Sequence, residues 1–511
     1  MSGHDEGSRP APPAWVRDAV FYQIFPDRFA LSTRVPKPGP LEDWDARPTR
    51  HGFKGGDLLG IVEHLDHVQA LGANAIYLNP VFQSASNHRY HTYDYLTVDP
   101  LLGGDAALRE LIDACHVRGM RVILDGVFNH ASRGFWPFHH VLESGEASPY
   151  RDWFFFDQEA LASGRIRAYP VGRPNRGSLP ALGYQAWWDL PALPKLNTGR
   201  PEVREYLMSV AEHWLRFGAD GWRLDVPEEV PDDFWREFRR RVKAVDRDAY
   251  IVAEIWHEKP QDLRGDMYDA LMDYPLAEAI LSFTGAGRLD DRLVRQHRDL
   301  SSTVRHDDAP AFASRLTRAM SLYDPAVSAA QFHLLGSHDT PRFLSLVGGD
   351  TTALRLATLI QMTLPGAPSI FYGDEIGLLG EADPDNRRSF PWDHPERWDH
   401  TLFAFMSSAV ALRHANPVFR RGTFRVVEAV GQAIAYRLAD RDSAALVVVN
   451  AGDVPRRLAL SVPELIGRSF VTRSVAGSVS AVGPDRVEVA GERLELDVPA
   501  RDAVVLTTPS R

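Results

Sequence analysis

Only one cysteine, Cys115, stands in a chain of 511 residues. No intrachain disulfide can form, so the fold must rest on burial, and a reducing compartment fits. A basic excess is missing too. Lys and Arg number 57 against 68 Asp and Glu, a net charge of −11. Proteins that grip phosphate backbones show the opposite sign, which sets nucleic acid aside as a partner. No apolar run reaches the length of about 18 residues that spans a bilayer, so no membrane helix is expected. The start, MSGHDEGSRPAPPAW, has no basic patch followed by an apolar stretch. It reads as no secretion signal, and the expected location is the cytoplasm. Residues 1–13 are polar and proline-rich and predict a loose tail. The remaining composition is ordinary, with 44% hydrophobic and 24% charged residues, which predicts a folded protein. At roughly 100–200 residues per domain, the length suits two to four domains, or one large barrel with additions.

What is present is a recurring unit. An amphipathic helix runs into a glycine, then a short apolar strand, then a polar loop. Leu58, Ile61, Val62, Leu65, Val68 and Leu71 keep helical spacing, Gly72 stops them, and Ala75 to Leu78 follow as a strand. Leu108, Leu111, Ile112 and Cys115 repeat the pattern before Gly119 and the strand Val122 to Leu124. The third helix opens at Pro201, a residue suited to a first turn, and leads through Gly218 to Gly221–Asp225. Further apolar strands are Phe21 to Phe25, Tyr250 to Ala253, Asp269 to Met272, Phe332 to Leu335 and Ser369 to Tyr372. Eight strands alternating with helices predict an α/β fold with a parallel sheet, as a (β/α)₈ TIM barrel. A doubly wound sheet is the alternative that a count cannot separate.

A bare barrel needs about 250 residues, so additions are expected. Residues 131–197, after the third strand, are rich in aromatics and form an inserted subdomain. After residue 416 the pattern shifts to short alternating runs, such as Ala445 to Val449, which predict a C-terminal antiparallel β domain. The organisation read here is a tail at 1–13, a barrel from 14–130 and 198–416, an insert at 131–197, and a β-sandwich at 417–511.

Barrel enzymes work at the C-terminal ends of their strands. Here those ends read Asp125-Gly-Val-Phe-Asn-His130, Arg223-Leu-Asp225, Glu254-Ile-Trp256-His257 and Ser337-His-Asp339. Residues i and i+2 of a strand share a face, so Arg223 and Asp225 point inward together. An arginine beside an aspartate is expected to lower its pKa and keep it ionised, as a nucleophile requires. Glu254 lies between Ala253 and Ile255-Trp256, an apolar setting expected to raise its pKa. One carboxyl of each kind is the working pair of glycoside hydrolysis. Taken singly, such residues are more often caps or ion pairs. Their joint placement on several strand ends carries the reading.

These segments resemble the α-amylase family of retaining glycoside hydrolases, from Val20 to the C-terminus. The resemblance implies Asp225 as nucleophile, Glu254 as general acid/base and Asp339 as a third carboxylate that orients the sugar. It implies that His130, Arg223 and His338 bind the glucose at the cleavage point, and that Tyr90 stacks on it. Leu193-Pro-Lys-Leu-Asn197 and Asp383-Pro-Asp-Asn-Arg387 resemble the neopullulanase, cyclomaltodextrinase and maltogenic amylase branch. By that similarity Asp383 and Arg387 bind sugar hydroxyls. Trp188 and Trp256 are ligand-facing candidates, whereas Phe154 and Phe156 read as core.

The sequence departs from the branch in three places. Members usually open with an extra β domain of roughly a hundred residues, and the early first strand predicts that it is absent here. Its absence leaves the oligomeric state open. His91 stands where aspartate is usual, and Pro227-Glu228 replaces alanine and asparagine. Asn129 and Asp57 match calcium-ligand positions in various relatives, but the loop after Phe29 lacks their Asn/Asp cluster. The expectation is that no cofactor is required, with a structural calcium not favoured. The implied activity is endo-type hydrolysis of maltodextrins, cyclomaltodextrins or pullulan. The rivals are a glucan transferase, a trehalose-forming isomerase, and a non-enzymatic glucan-binding homologue, which would usually have lost a catalytic carboxylate.

Overall fold

The structure is a computed structural model that describes residues 11–172, 177–473, 475 and 486–509. Most of the expected tail, residues 1–10, lies outside them. Eight parallel strands form the centre: β1 (Phe21–Ile24), β2 (Ala75–Leu78), β3 (Arg121–Gly126), β4 (Gly221–Leu224), β5 (Tyr250–Ala253), β6 (Ala270–Leu271), β7 (Phe332–Leu334) and β8 (Ala367–Phe371). Their order is β6-β5-β4-β3-β2-β1-β8-β7. Met272 bridges Phe332 in parallel, and the Asp273 N–H donates to the Phe332 carbonyl at 2.9 Å. That contact joins the two ends of the sheet and closes a barrel, which removes the doubly wound alternative.

The strands are apolar throughout because both of their faces are covered. Phe21, Ala75, Tyr77, Ile123, Tyr250, Val252, Phe332 and Leu334 pack together inside the barrel. Their neighbours Tyr22, Ile76, Val122, Leu124, Trp222 and Leu224 pack outward in the larger core with the helices. The first helical stripe is two helices, Leu58–Glu63 and Leu65–Leu71, with a break at His64. Gly72 ends the second with φ 94°, a value that glycine tolerates best.

The insert leaves the end of β3 and returns through Lys195. Paired bridges His130–Lys195, Phe154–Leu196 and Ala186–Pro194 tie it to the barrel and to itself. Phe135, Phe138, Phe154, Phe156 and Tyr184 are buried in its centre.

The C-terminal strands are β9 (Thr423–Val430), β10 (Ala433–Ala439), β11 (Ala444–Asn450), β12 (Arg456–Ser461), β13 (Ser469–Arg473), β14 (Arg486–Glu488), β15 (Arg493–Val498) and β16 (Asp502–Thr507). Six form an antiparallel sheet in the order β9-β10-β11-β16-β13-β14, and β12 pairs with β15. One face, with Ala433, Ala435, Leu446 and Val448, packs on Leu458, Leu460, Leu494 and Leu496 of that pair. The other, with Ile434, Tyr436, Leu438 and Val447, joins the barrel's core. Among the described residues no helix is long and apolar enough to cross a membrane.

Candidate active site

The strand ends converge on Arg223. Its Nη1 donates to Asp125 Oδ1 at 2.8 Å and Oδ2 at 3.0 Å, and to Asp225 Oδ1 at 2.9 Å. Its Nη2 lies 2.9 Å from Glu254 Oε2. Carboxyls from β3, β4 and β5 thus surround one guanidinium, all buried. Local geometry brings them there. Arg223 is an inward position of β4, and Asp225 follows two residues later. Val226 then takes φ 37°, a left-handed conformation that a β-branched residue rarely adopts. This turn aims the Val226 N–H at Glu254 Oε2, 3.1 Å away. The other oxygen, Glu254 Oε1, accepts from Trp256 Nε1 at 3.3 Å. Trp256 is itself stacked on Tyr274, with centroids 3.6 Å apart.

Burial pushes Glu254 up to about 7, with Arg223 pulling down and the Asp339 charge adding to the rise. Asp225 does not follow the expectation drawn from its neighbour. Arg223 does pull it down, yet burial and the nearby Glu254, Asp125 and Asp339 carboxyls outweigh that pull, and Asp225 is raised. One cation cannot neutralise so many acids in a dry site.

Around this centre lie the other candidates. The Tyr90 hydroxyl donates to Asp125 Oδ2 at 2.9 Å, and its ring lies parallel to His338 at 5.5 Å. The Gln23 amide donates to His338 Nδ1 at 3.0 Å. The proton of His338 must then sit on Nε2, which lies 2.7 Å from the Tyr90 hydroxyl and 3.1 Å from Asp339 Oδ2. Arg387 Nη2 donates to Asp339 Oδ1 at 3.3 Å, and its Nη1 lies 3.0 Å from Asp383. Asp339 and Asp383 face the open side, whereas Asp125 is sealed beneath. His130 stacks on Trp187 at 4.9 Å, and Trp187 on Trp188 at 4.8 Å. Burial pushes His130 down to about 3, so it is neutral.

The structure therefore gathers Asp225, Glu254, Asp339, Arg223, Tyr90, His338, Asp383, Arg387 and Trp256 into one contact network. His130 stands beside it on the insert's stack. Sequence reasoning passed over Gln23, Tyr77 and Tyr274. Tyr77 donates to Asp125 at 2.6 Å. The signal was there for two of them: Gln23 and Tyr77 are polar groups inside otherwise apolar barrel strands.

Residues 23–401 match the alpha amylase catalytic domain family. The chain belongs to the α-amylase family. It is 44% identical to a cyclomaltodextrinase from a Bacillus species over 443 residues, 86% of this chain and 74% of that protein. It is 41% identical to neopullulanase 2 of Thermoactinomyces vulgaris over 463 residues, 90% of this chain and 74% of that one. Among solved structures, the debranching enzyme of Nostoc punctiforme is similar with a TM-score of 0.82 at 41% identity, covering 98% of this chain and 100% of that chain. This α-amylase-family chain is thus a glycoside hydrolase of the cyclomaltodextrinase and neopullulanase branch.

Proposed function

We propose that the protein is an endo-type, retaining α-1,4-glucan hydrolase acting on maltodextrins, cyclomaltodextrins or pullulan in the cytoplasm. The observation that carries this is the single Arg223 guanidinium that contacts both Asp225 and Glu254. Two carboxyls held on one guanidinium support the close spacing, about 5–5.5 Å, that retaining enzymes use. Asp225 attacks the anomeric carbon and Glu254 protonates the leaving oxygen. A covalent glycosyl ester on Asp225 results. Glu254, now a carboxylate, deprotonates water, which releases the sugar and regenerates the acid.

Proton placement follows from the hydrogen bonds. Burial raises both carboxyls, and the aligned bond from Arg223 to Asp225 supports placing the charge on Asp225 once the shared site has lost one proton. Glu254 holds the proton on Oε1, whose bond to Trp256 is the longer. The excess of carboxyls over cations favours the positive charge that develops on the sugar. His338 and Arg387 hold the glucosyl hydroxyls, Tyr90 stacks on the ring, and Asp339 orients it.

The test is one incubation series with β-cyclodextrin, pullulan and soluble starch, read by chromatography, with the first-formed anomer followed by NMR. Cleavage of the cyclic substrate with retained α configuration is expected. An inverted product overturns the mechanism. Longer products from maltotriose would instead identify a transferase. Asp225→Asn should abolish turnover with the fold intact, and retained activity would sink the assignment of the nucleophile.

A further inference from the structure

Calcium takes hard oxygen ligands, usually six or more. Asn129 and Asp57 stand at positions where such a ligand is expected, yet neither has its side chain free to serve. The Asp57 Oδ1 caps a helix by accepting from the Gly60 N–H at 2.7 Å. Its Oδ2 accepts from the Ser32 N–H at 3.0 Å and pairs with Lys37 Nζ at 2.9 Å. At the other position three oxygens converge: Asn129 Oδ1, the Glu229 carbonyl and the Glu229 carboxylate. An amide oxygen, a carbonyl and a carboxylate are donors of the kind calcium chooses. The point they share is held by the Lys195 ammonium, at 2.6, 2.7 and 3.6 Å respectively. Its side chain is only 16% exposed. A divalent cation does not fit beside that charge. Among the described residues no group of three or more His, Cys, Asp or Glu could hold a metal elsewhere.

We infer that Lys195 is a built-in cation that positions the active site, standing where a metal would otherwise bridge the insert to the barrel. The consequence for chemistry runs through one amide. Lys195 donates to Asn129 Oδ1, which turns the Asn129 amide nitrogen toward His130. That nitrogen donates to His130 Nδ1 at 3.2 Å. Nδ1 therefore accepts, and the proton of the neutral ring sits on Nε2. Nε2 is buried and meets no aligned partner among the described residues, which leaves its N–H for a sugar oxygen. The same ammonium holds the Glu229 carbonyl, in the short turn Pro227–Glu229 that follows Asp225. One side chain thus fixes the tautomer of His130 and the loop behind the nucleophile. The positioning role rests on the proposed roles of His130 and Asp225, whereas the cation seat does not.

Three measurements test this. The wild-type protein should keep its rate on β-cyclodextrin and its thermal midpoint in excess EDTA or in added calcium chloride. Loss of either on chelation, with recovery on calcium, overturns the inference. Lys195→Met should lower kcat by roughly ten- to a hundred-fold, the usual cost of removing a supporting partner of a site. Calcium should not restore it, and a wild-type kcat overturns the positioning role. Lys195→Asp places a carboxylate beside the Asn129 and Glu229 oxygens and should create a calcium site. Its kcat and thermal midpoint should rise with calcium, and a calcium-indifferent Lys195→Asp overturns the seat. Calorimetry still decides if Lys195→Met fails to fold. A wild-type protein that cleaves no α-glucan, with a Lys195→Asp that calcium still stabilises, would defeat the proposed activity and leave the seat standing.

Discussion

Glu254 is lifted to about 7 by burial, with the charge of Asp339 adding to the rise. An acid that must hand over a proton should lose activity as pH climbs through that value, so kcat/KM should fall above about pH 7. Stability follows the same group. The native pKa lies above that of the unfolded chain, so the folded state binds the extra proton between the two values. The stabilisation from protonated Glu254 is complete below the unfolded value and is lost as pH rises through the folded one. Glu254→Gln should therefore flatten both profiles and reduce kcat by about 10²–10⁴-fold. A pH–rate curve and thermal melts from pH 4 to 8 check the two limbs. The Arg223 and Asp225 pairing was legible because strand period alone puts them on one face. The direction of the Asp225 shift was not. Its sequence neighbours show the one cation, while the opposing carboxyls arrive from β3, from β5 and from the loop after β7. The left-handed Val226 was equally hidden, since nothing in a valine announces φ 37°.

All eight barrel strands were readable as short apolar runs, and three of them, β2, β3 and β4, also follow a helix that runs into Gly72, Gly119 or Gly218. The insert was legible only as a reservoir of aromatics. Phe154 and Phe156 are core, as expected of aromatics in the insert, but the path of the chain could not be read. Trp188 and Asp189 both take left-handed φ values, 49° and 55°. That turn carries the stack His130–Trp187–Trp188 outward until the last ring is 64% exposed. The Arg298 guanidinium, from the barrel side, lies 5.5 Å from the Trp188 ring. As the proposed glucan hydrolase, the protein would use this exposed indole, at the end of a stack that begins beside the site, as a platform for a further glucosyl ring. Trp188→Ala should raise KM for cyclodextrins and long maltodextrins about five- to ten-fold, the worth of one aromatic contact. Maltotriose should be affected least. The thermal midpoint should hardly move, because an exposed side chain supports little of the core. Equal loss on every substrate would assign Trp188 to the fold instead.

At the scale of the molecule, the single cysteine means that the C-terminal domain must be held without an intrachain disulfide, chiefly by packing. Its alternating strands revealed an antiparallel sheet, but not that the sheet is covered on both sides. Both sets of alternating residues are apolar in β11, and each set has its own partner. Leu446 and Val448 meet the β12–β15 pair, while Val447 and Val449 meet the barrel. Tyr436 in β10 adds a directional contact, its hydroxyl 2.6 Å from the hydroxyl of Thr363, which caps the barrel helix Thr351–Met362. A large apolar interface removes the freedom that linked domains ordinarily have. The two parts should therefore unfold together. Calorimetry of the whole chain should show one transition covering barrel and β domain, and two separated transitions would refute the shared core. Tyr436→Phe removes this bond while the Thr363 hydroxyl still donates to the Leu359 carbonyl at 2.7 Å, so it should cost about 0.5–1.5 kcal/mol. Tyr436→Ala adds a cavity and should cost about 3–5 kcal/mol. Both should lower the single transition as a unit, with no early melting of the β domain. Glucan cleavage below that transition should be unchanged, since Tyr436 lies against the outside of the barrel and the reacting groups sit at its strand ends.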